Sequence, residues 1–431
     1  MMRPPTSFPA AMPRQAAPLR VLAACLLVLG LGAEDWPHAR GPLTNGHVPE
    51  AEAVPTSLPS EATVVWKVKI GDGFASPIEA DGVVYYLDCQ ADQDVIHAVT
   101  AASGKQLWQE SVFSSHKDGF GEGPRCAPVA DGKLLFVQTS KGEFHCLATA
   151  TGKLLWRFNF VDDFGGIYIG EKGDAKGGSR HGFNGSPVID GDLIYVEVGS
   201  PKGAGVVCFR KATGAPVWKS QNDMAGYGPP LIATICGIKQ LVCFTVDGVI
   251  GLRATDGTLL WRVPLTTTFG RHVIQPIVDG DLVVVASHQF GMVGTRIVKQ
   301  GVGLVAQPAW TKKELGINFS SPVAVGGHLY GLGLNKNVMC VDLASGQVAW
   351  DQGGCISSSG DKAFAGFIVM GANILMLNDS GELILFAADA SRFNQVGRLQ
   401  VCGSNWCSPA YANGRLYLRD RKELRCIELL H

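Results

Sequence analysis

Arg125, Asn184, Tyr227, Phe319 and Trp406 each stand three residues before a proline, in the pairs Ala127-Pro128, Ser186-Pro187, Pro229-Pro230, Ser321-Pro322 and Ser408-Pro409. Arg180, His181, Arg271, His272 and Lys362 flank the same column. Cations, an amide and aromatic faces gathered at one recurring position suit the capture of an anionic small molecule, a glycan or a peptide. The alternative for any single member is a solvated rim residue. Catalysis is not indicated, because a general base needs a partner that orients it, and neither His181 nor His272 has a carboxylate partner identifiable in the sequence. The chain contains no His-Glu-x-x-His, no Gly-x-Ser-x-Gly and no glycine-rich phosphate loop. The ten residues are therefore read as a ligand-binding rim, with no catalytic or metal-ligating set assigned.

The elements that must position this rim come from a repeat. Tryptophans recur at 66, 108, 156, 218, 261, 310 and 350, spaced by 42, 48, 62, 43, 49 and 40 residues, and five of them follow a glycine by four residues. A period of this length, built from short strands and tight turns, denotes a solenoid or propeller. Each unit opens near the proline pair and continues through an Asp-Gly or Asn-Gly turn, as at 81–82, 131–132, 190–191, 279–280 and 413–414. Asp-Gly and Asn-Gly suit tight hairpins because both central residues must reach positive φ. A β-branched run, a third strand and the tryptophan strand follow, which makes four antiparallel strands and hence one propeller blade. Counting proline starts, with Ala365-Gly366 as a degenerate copy, yields an all-β, eight-bladed propeller. The eighth unit lacks its tryptophan strand, and Val64-Val65-Trp66-Lys67-Val68 is expected to supply it, closing the ring from the N-terminal end. In this topology the residues before the prolines lie on one face and the Gly turns on the other. The longest spacing adds residues 161–181 to the former, the funnel face.

The repeated Thr-Gly-Lys-x-x-Trp strand and the eight units resemble the bacterial PQQ-like (quinoprotein-type) β-propeller repeat family. That family includes quinoprotein alcohol dehydrogenases and the outer-membrane assembly lipoprotein BamB. The opening Trp36-Pro37-His38-Ala39-Arg40-Gly41-Pro42 is similar to the leader of exported PQQ-like repeat proteins. The resemblance covers residues from about Trp36 to Leu429. It implies girdle tryptophans packed between blades rather than cofactor contacts, and a BamB-like binding or scaffold role. The dehydrogenases of the family carry an adjacent Cys-Cys pair over PQQ, with Glu, Asn and Asp around calcium. No two cysteines are adjacent here, so no cofactor is expected, and a quinoprotein oxidoreductase with PQQ and calcium stands as the alternative, beside a polysaccharide-acting enzyme.

Composition bounds the remaining choices. The chain has 431 residues, 46% of them hydrophobic, and a net charge of −1, which provides no basic footprint for nucleic acid. Residues 1–33 read as a signal peptide, with an apolar run from Val21 to Gly32 that is too short to span a bilayer. Residues 34–60 form a leader and 61–431 the propeller. A periplasmic or extracellular monomer follows, binding a protein or a small anionic or glycan ligand. Leu22-Ala23-Ala24-Cys25 has the form of a lipobox, but only four apolar residues separate Cys25 from Arg20, so no lipid anchor is expected. Cys146, Cys208, Cys340 and Cys426 share one repeat column and are read as packed core. Cys402 with Cys407, and Cys236 with Cys243, are spaced so that they could be bridged.

Overall fold

The computed structural model describes residues 1–2, 35–357 and 363–430. Cys25, the apolar run 21–32, Asp361 and Lys362 lie outside the described residues. The rest is a ring of eight four-stranded antiparallel sheets. The first comprises Ile78–Ala80, Val83–Gln90, Gln93–Thr100 and Gln106–Ser114, and it sets the pattern for blades spanning 129–159, 188–220, 231–264, 277–312, 323–352 and 365–400. In the eighth, strands within 410–428 are completed by Thr63–Lys69, which pairs antiparallel with Glu423–Glu428. The ring is closed as the stray Trp66 strand implies.

The tryptophan repeat has a physical cause on each side of the residue. Within its own blade, every tryptophan lies opposite a small residue of the third strand: Ala98 with Trp108, Cys146 with Trp156, Cys208 with Trp218, Gly251 with Trp261, Gly294 with Trp310, Cys340 with Trp350 and Cys426 with Trp66. An indole fills the space that a larger partner would occupy. The seventh blade inverts the pair, setting Leu385 opposite Gly397, and leader residue Leu58 packs on that glycine. A register shift falls beside this pair in all eight blades, so a β-bulge turns the tryptophan strand at the same point each time.

Between blades, the indole N–H donates to a backbone carbonyl of the next blade: Trp66 to Ala101, Trp108 to Thr149, Trp156 to Lys211, Trp218 to Ala254, Trp310 to Leu343 and Trp350 to Asp389, at 2.8–3.1 Å. For Trp66, Trp108, Trp156, Trp218 and Trp310 the ring also lies over the positive-φ turn glycine of that next blade and leaves no room for a side chain there, whereas Trp350 meets Phe393 in a turn without glycine. A Cβ on Gly152 would stand 2.6 Å from Trp108. Trp261 is the exception. The hairpin of the following blade runs on to a tight turn at Gly301, out of reach of the indole, and Trp261 bonds Gln240 Oε1 of its own blade.

All eleven described cysteines are free thiols. The Cys402–Cys407 and Cys236–Cys243 bridges considered from spacing are not formed. Cys243 is buried in the core, whereas Cys236 sits at a turn with its thiol on Ile297 O. The four column cysteines are fully buried.

The leader is part of the ring's interior. Trp36 exchanges two backbone hydrogen bonds with Glu79, Ala130 N–H donates to Pro37 O, and Val48 and Gly46 bond Val369. Residues 36–48 thus lie across the central channel, bonded to the innermost strands of blades one, two, six and seven. The Glu79 carboxyl is 0% exposed beneath the leader and accepts from Gly82 N–H at 2.9 Å. Burial, then the charge of Asp35, with Asp81 and Glu52 adding smaller repulsions, pushes its pKa up to about 8.

Two predictions follow from this packing. Gly152→Ala and Gly132→Ala each place alanine at positive φ, but nothing lies within 4 Å of the Gly132 site. Denaturant titration should show the shared backbone cost of about 1–2 kcal/mol in both and a clearly larger loss for Gly152→Ala. Equal losses would rule out the Trp108 contact as a constraint. The second concerns pH. A raised folded-state pKa means that the Glu79 contribution is fully present below the unfolded value near 4.5 and is lost as pH climbs through about 8. Melting temperature should therefore fall between pH 5 and pH 8, and Glu79→Gln should flatten that slope by up to about 1.4 kcal/mol per pH unit.

Candidate functional site

A cavity of about 230 Å³ opens at the axis of the funnel face. Its wall is built by the column predicted from the prolines. Phe74, Arg125, Asn184, Tyr227, Phe319 and Trp406 line it, with His181 and Arg271 beside them and Ser76, Ser186, Ser321 and Ser408 lower down. The blade-to-blade loops must pass this point to begin each innermost strand, so eight separate segments converge on one axis.

Aromatic rings form a nearly continuous collar. Phe319 and Trp406 have centroids 5.2 Å apart, Phe74 and Trp406 5.8 Å, and His181 and Tyr227 5.9 Å. Phe120 was not anticipated. It sits at the tip of a hairpin, Lys117–Asp118 with Gly121–Glu122, that lies between the first and second blades. Its ring reaches Phe319 of the sixth blade's approach at 5.7 Å, Trp406 of the eighth's at 6.0 Å and His181 at 5.4 Å. Phe120 therefore spans the mouth of the cavity.

Asp118 anchors that hairpin, and it too escaped the sequence reading. Its carboxyl is 0% exposed and accepts from Phe120 N–H, Arg125, His116 Nε2 and His181 Nδ1, the last at 2.8 Å. A carboxylate only accepts, so both imidazoles donate to it. His116 Nδ1 then accepts from Tyr168 O–H at 2.8 Å, and His181 Nε2 accepts from Arg180 Nε at 3.2 Å. Burial alone would raise the Asp118 pKa. The donors from His116, His181 and Arg125 outweigh it and hold the group far below the usual carboxylate range. The expectation that His181 lacks a carboxylate partner is thus overturned. The partner is 63 residues away in sequence, on a hairpin whose spacing follows no motif.

Two further rim assignments are corrected. His272 is 0% exposed, stacks on Phe244 at 4.3 Å and bonds Thr245 O through Nδ1. Burial, chiefly, lowers its pKa to about 4, so it is a neutral core residue outside the cavity lining. Arg180 also turns away from the cavity. It lies over Phe269 at 4.1 Å, donates to Gly173 O and pairs loosely with Glu171 at 3.9 Å. Glu171 accepts in turn from Gly119 N–H, so Arg180 ties the 161–181 insertion to the Phe120 hairpin. Lys362 lies outside the described residues.

Arg40 forms the floor. It comes from the leader, whose sequence was noted as a family-like opening but not as part of a site. Its guanidinium donates to the carbonyls of Asn45, Ser321 and Pro322, and it lines the cavity with Ala39. No carboxylate pairs with it among the described residues, and burial lowers its pKa to about 10, leaving it charged at neutral pH. Arg271 likewise has no ion pair among the described residues and rests 5.9 Å above the Phe319 ring.

An eight-bladed ring of four-stranded sheets, with an axial cavity walled by aromatics and cations, is a β-propeller. The family model described as outer membrane protein assembly factor BamB matches residues 91–352, and the chain belongs to that family. Among its relatives, BamB of Yersinia pestis is 23% identical over 332 residues, covering 74% of this chain and 76% of that protein. BamB of Burkholderia pseudomallei is 24% identical over 314 residues, 63% of this chain and 77% of that protein. The crystal structure of BamB from Moraxella catarrhalis superposes with a TM-score of 0.55 at 13% identity, over 86% of this chain and 99% of that one, a likeness of fold. Among the described residues, no helix is long and apolar enough to cross a membrane.

Asp118→Ala should release the hairpin. Removing one partner of a buried charge network costs about 3 kcal/mol, so the variant should lose comparable stability, and amide hydrogen exchange at Phe120 should accelerate. Unchanged protection at Phe120 would show that the hairpin is held by other contacts.

Proposed function

We propose that this protein is an exported, non-catalytic binding or scaffold module that engages a protein partner through its funnel face. The observation that carries this reading is the gathering of Arg40, Arg125 and Arg271 with six aromatic side chains around one axial opening of a rigid ring. Its relatives are named as outer-membrane protein assembly factors, and a role in such assembly is the form of scaffold function this reading favours. Export is part of the same proposal, since it places the funnel where those relatives' names place their work.

No cofactor enters the reading. Calcium requires several oxygen ligands, chiefly carboxylates, and the described lining contains no Asp or Glu. The nearby Asp118 already spends both oxygens on four N–H donors. A lining without carboxylates supports a reading in which the funnel binds without a calcium-held quinone.

The test compares faces. Partner capture from a membrane-protein fraction of the native cell, quantified by cross-linking, should fall at least tenfold for Arg271→Glu combined with Phe319→Ala. Lys105→Glu, in a turn on the opposite face, should leave it unchanged. Equal capture by all three proteins would place the partner elsewhere on the ring.

A further inference from the structure

We propose that the axial cavity is the seat of a small organic acid, with a carboxylate held between Arg40 and Arg271 and an apolar, ring-sized body held in the aromatic collar. This rests on the funnel-face reading and names the ligand class that its centre would take.

The charge balance points to an anion. Arg125 is neutralised by Asp118, but Arg40 and Arg271 have no acidic partner among the described residues. Three of the five Arg40 N–H donors are used on carbonyls, and its Nε is buried without any acceptor. The Arg125 Nε is in the same condition. A buried cation without a counterion is costly, and an unmet donor on it adds to the cost. The protein nevertheless holds Arg40 there with a leader segment laid across the channel. A ligand carboxylate in the cavity supplies the missing negative charge, because a guanidinium presents donors that match its two oxygens.

The walls set the size and character of the rest. Phe74, Phe319, Trp406 and Phe120 leave about 230 Å³, below the range of common drug-sized pockets. An oligosaccharide does not fit that space, whereas one ring or a short branched chain does. Phe120 decides between a free acid and the carboxylate of a peptide C-terminus. Its ring contacts Phe319 and Trp406 across the mouth, so a polypeptide could not trail out without displacing it, while a free acid could be enclosed beneath it.

Calorimetry on the full-length protein tests this with phenylacetate, its neutral isostere phenylacetamide, and a pentapeptide ending in free phenylalanine. Phenylacetate should bind at least tenfold more tightly than either of the other two. Arg271→Gln, at the open rim, should weaken it about tenfold, and Lys105→Gln should not. Arg40→Gln should abolish binding in protein that still melts cooperatively; if that variant fails to fold, Arg271→Gln carries the comparison. Equal affinity for acid and amide, or no binding by any probe, would overturn the acid seat. A peptide that binds as well as phenylacetate would overturn the assignment to a free acid. These results are separable from the partner reading: loss of partner capture in the Arg271→Glu, Phe319→Ala protein with no phenylacetate binding leaves the scaffold role standing and removes only the ligand.

Discussion

The contact on which the ring depends is the indole that leaves its own blade and closes on the next. It does three things at once: it occupies the hollow opposite a small third-strand residue, donates its N–H to a carbonyl across the blade boundary, and lies flat on a glycine whose positive φ keeps the surface bare. Each demand restricts a different position. The small residue is Ala, Cys or Gly, the turn residue beneath the ring is Gly for five of the seven tryptophans, and the strand carries a bulge that aims the ring. Six of the seven tryptophans meet the donor requirement across a blade boundary. The seventh, Trp261, turns inward where a longer neighbouring hairpin carries its Gly301 turn out of reach.

Rigidity at the perimeter permits irregularity at the axis. Because the blades are clasped from outside, the inner loops need not hold the ring together and are open to ligand chemistry. The leader uses that space. It enters the channel and leaves Arg40 facing the cavity without a counterion, an arrangement a self-sufficient core would avoid. Glu79, buried beside the leader with its pKa raised, shows the same willingness to retain polar groups at the axis. Above, the Asp118 network fixes a short hairpin so that one phenylalanine reaches across the mouth. Floor and cap thus come from two parts of the chain outside the repeat, while the wall comes from the column that recurs before each proline.

Much of the fold was legible in the sequence. The blade count, the closure by Thr63–Lys69 and the two faces all follow from local signals: strand alternation, Gly turns and the tryptophan period. The wall of the cavity was legible for the same reason, since a residue at a fixed offset from each proline occupies a fixed place in each blade. His272 shows the limit of that argument. It is adjacent to the column, yet the chain at Thr268–Gly270 turns so that its ring enters the core against Phe244. Arg180 fails similarly, because Phe269, remote in sequence, and Glu171, in its own insertion, draw it sideways.

By itself, the sequence determined the repeat and everything periodic in it, because each blade is a nearest-neighbour object whose strands and turns are encoded within some forty residues. Only the tertiary structure decided what faces the axis. Arg40 joins Arg271 across 231 residues, His181 meets Asp118 across 63, and Phe120 meets Trp406 across 286. No spacing rule links such positions. They meet because closing a ring brings every inner loop to one point, and which side chains meet there depends on loop conformations that the repeat leaves free.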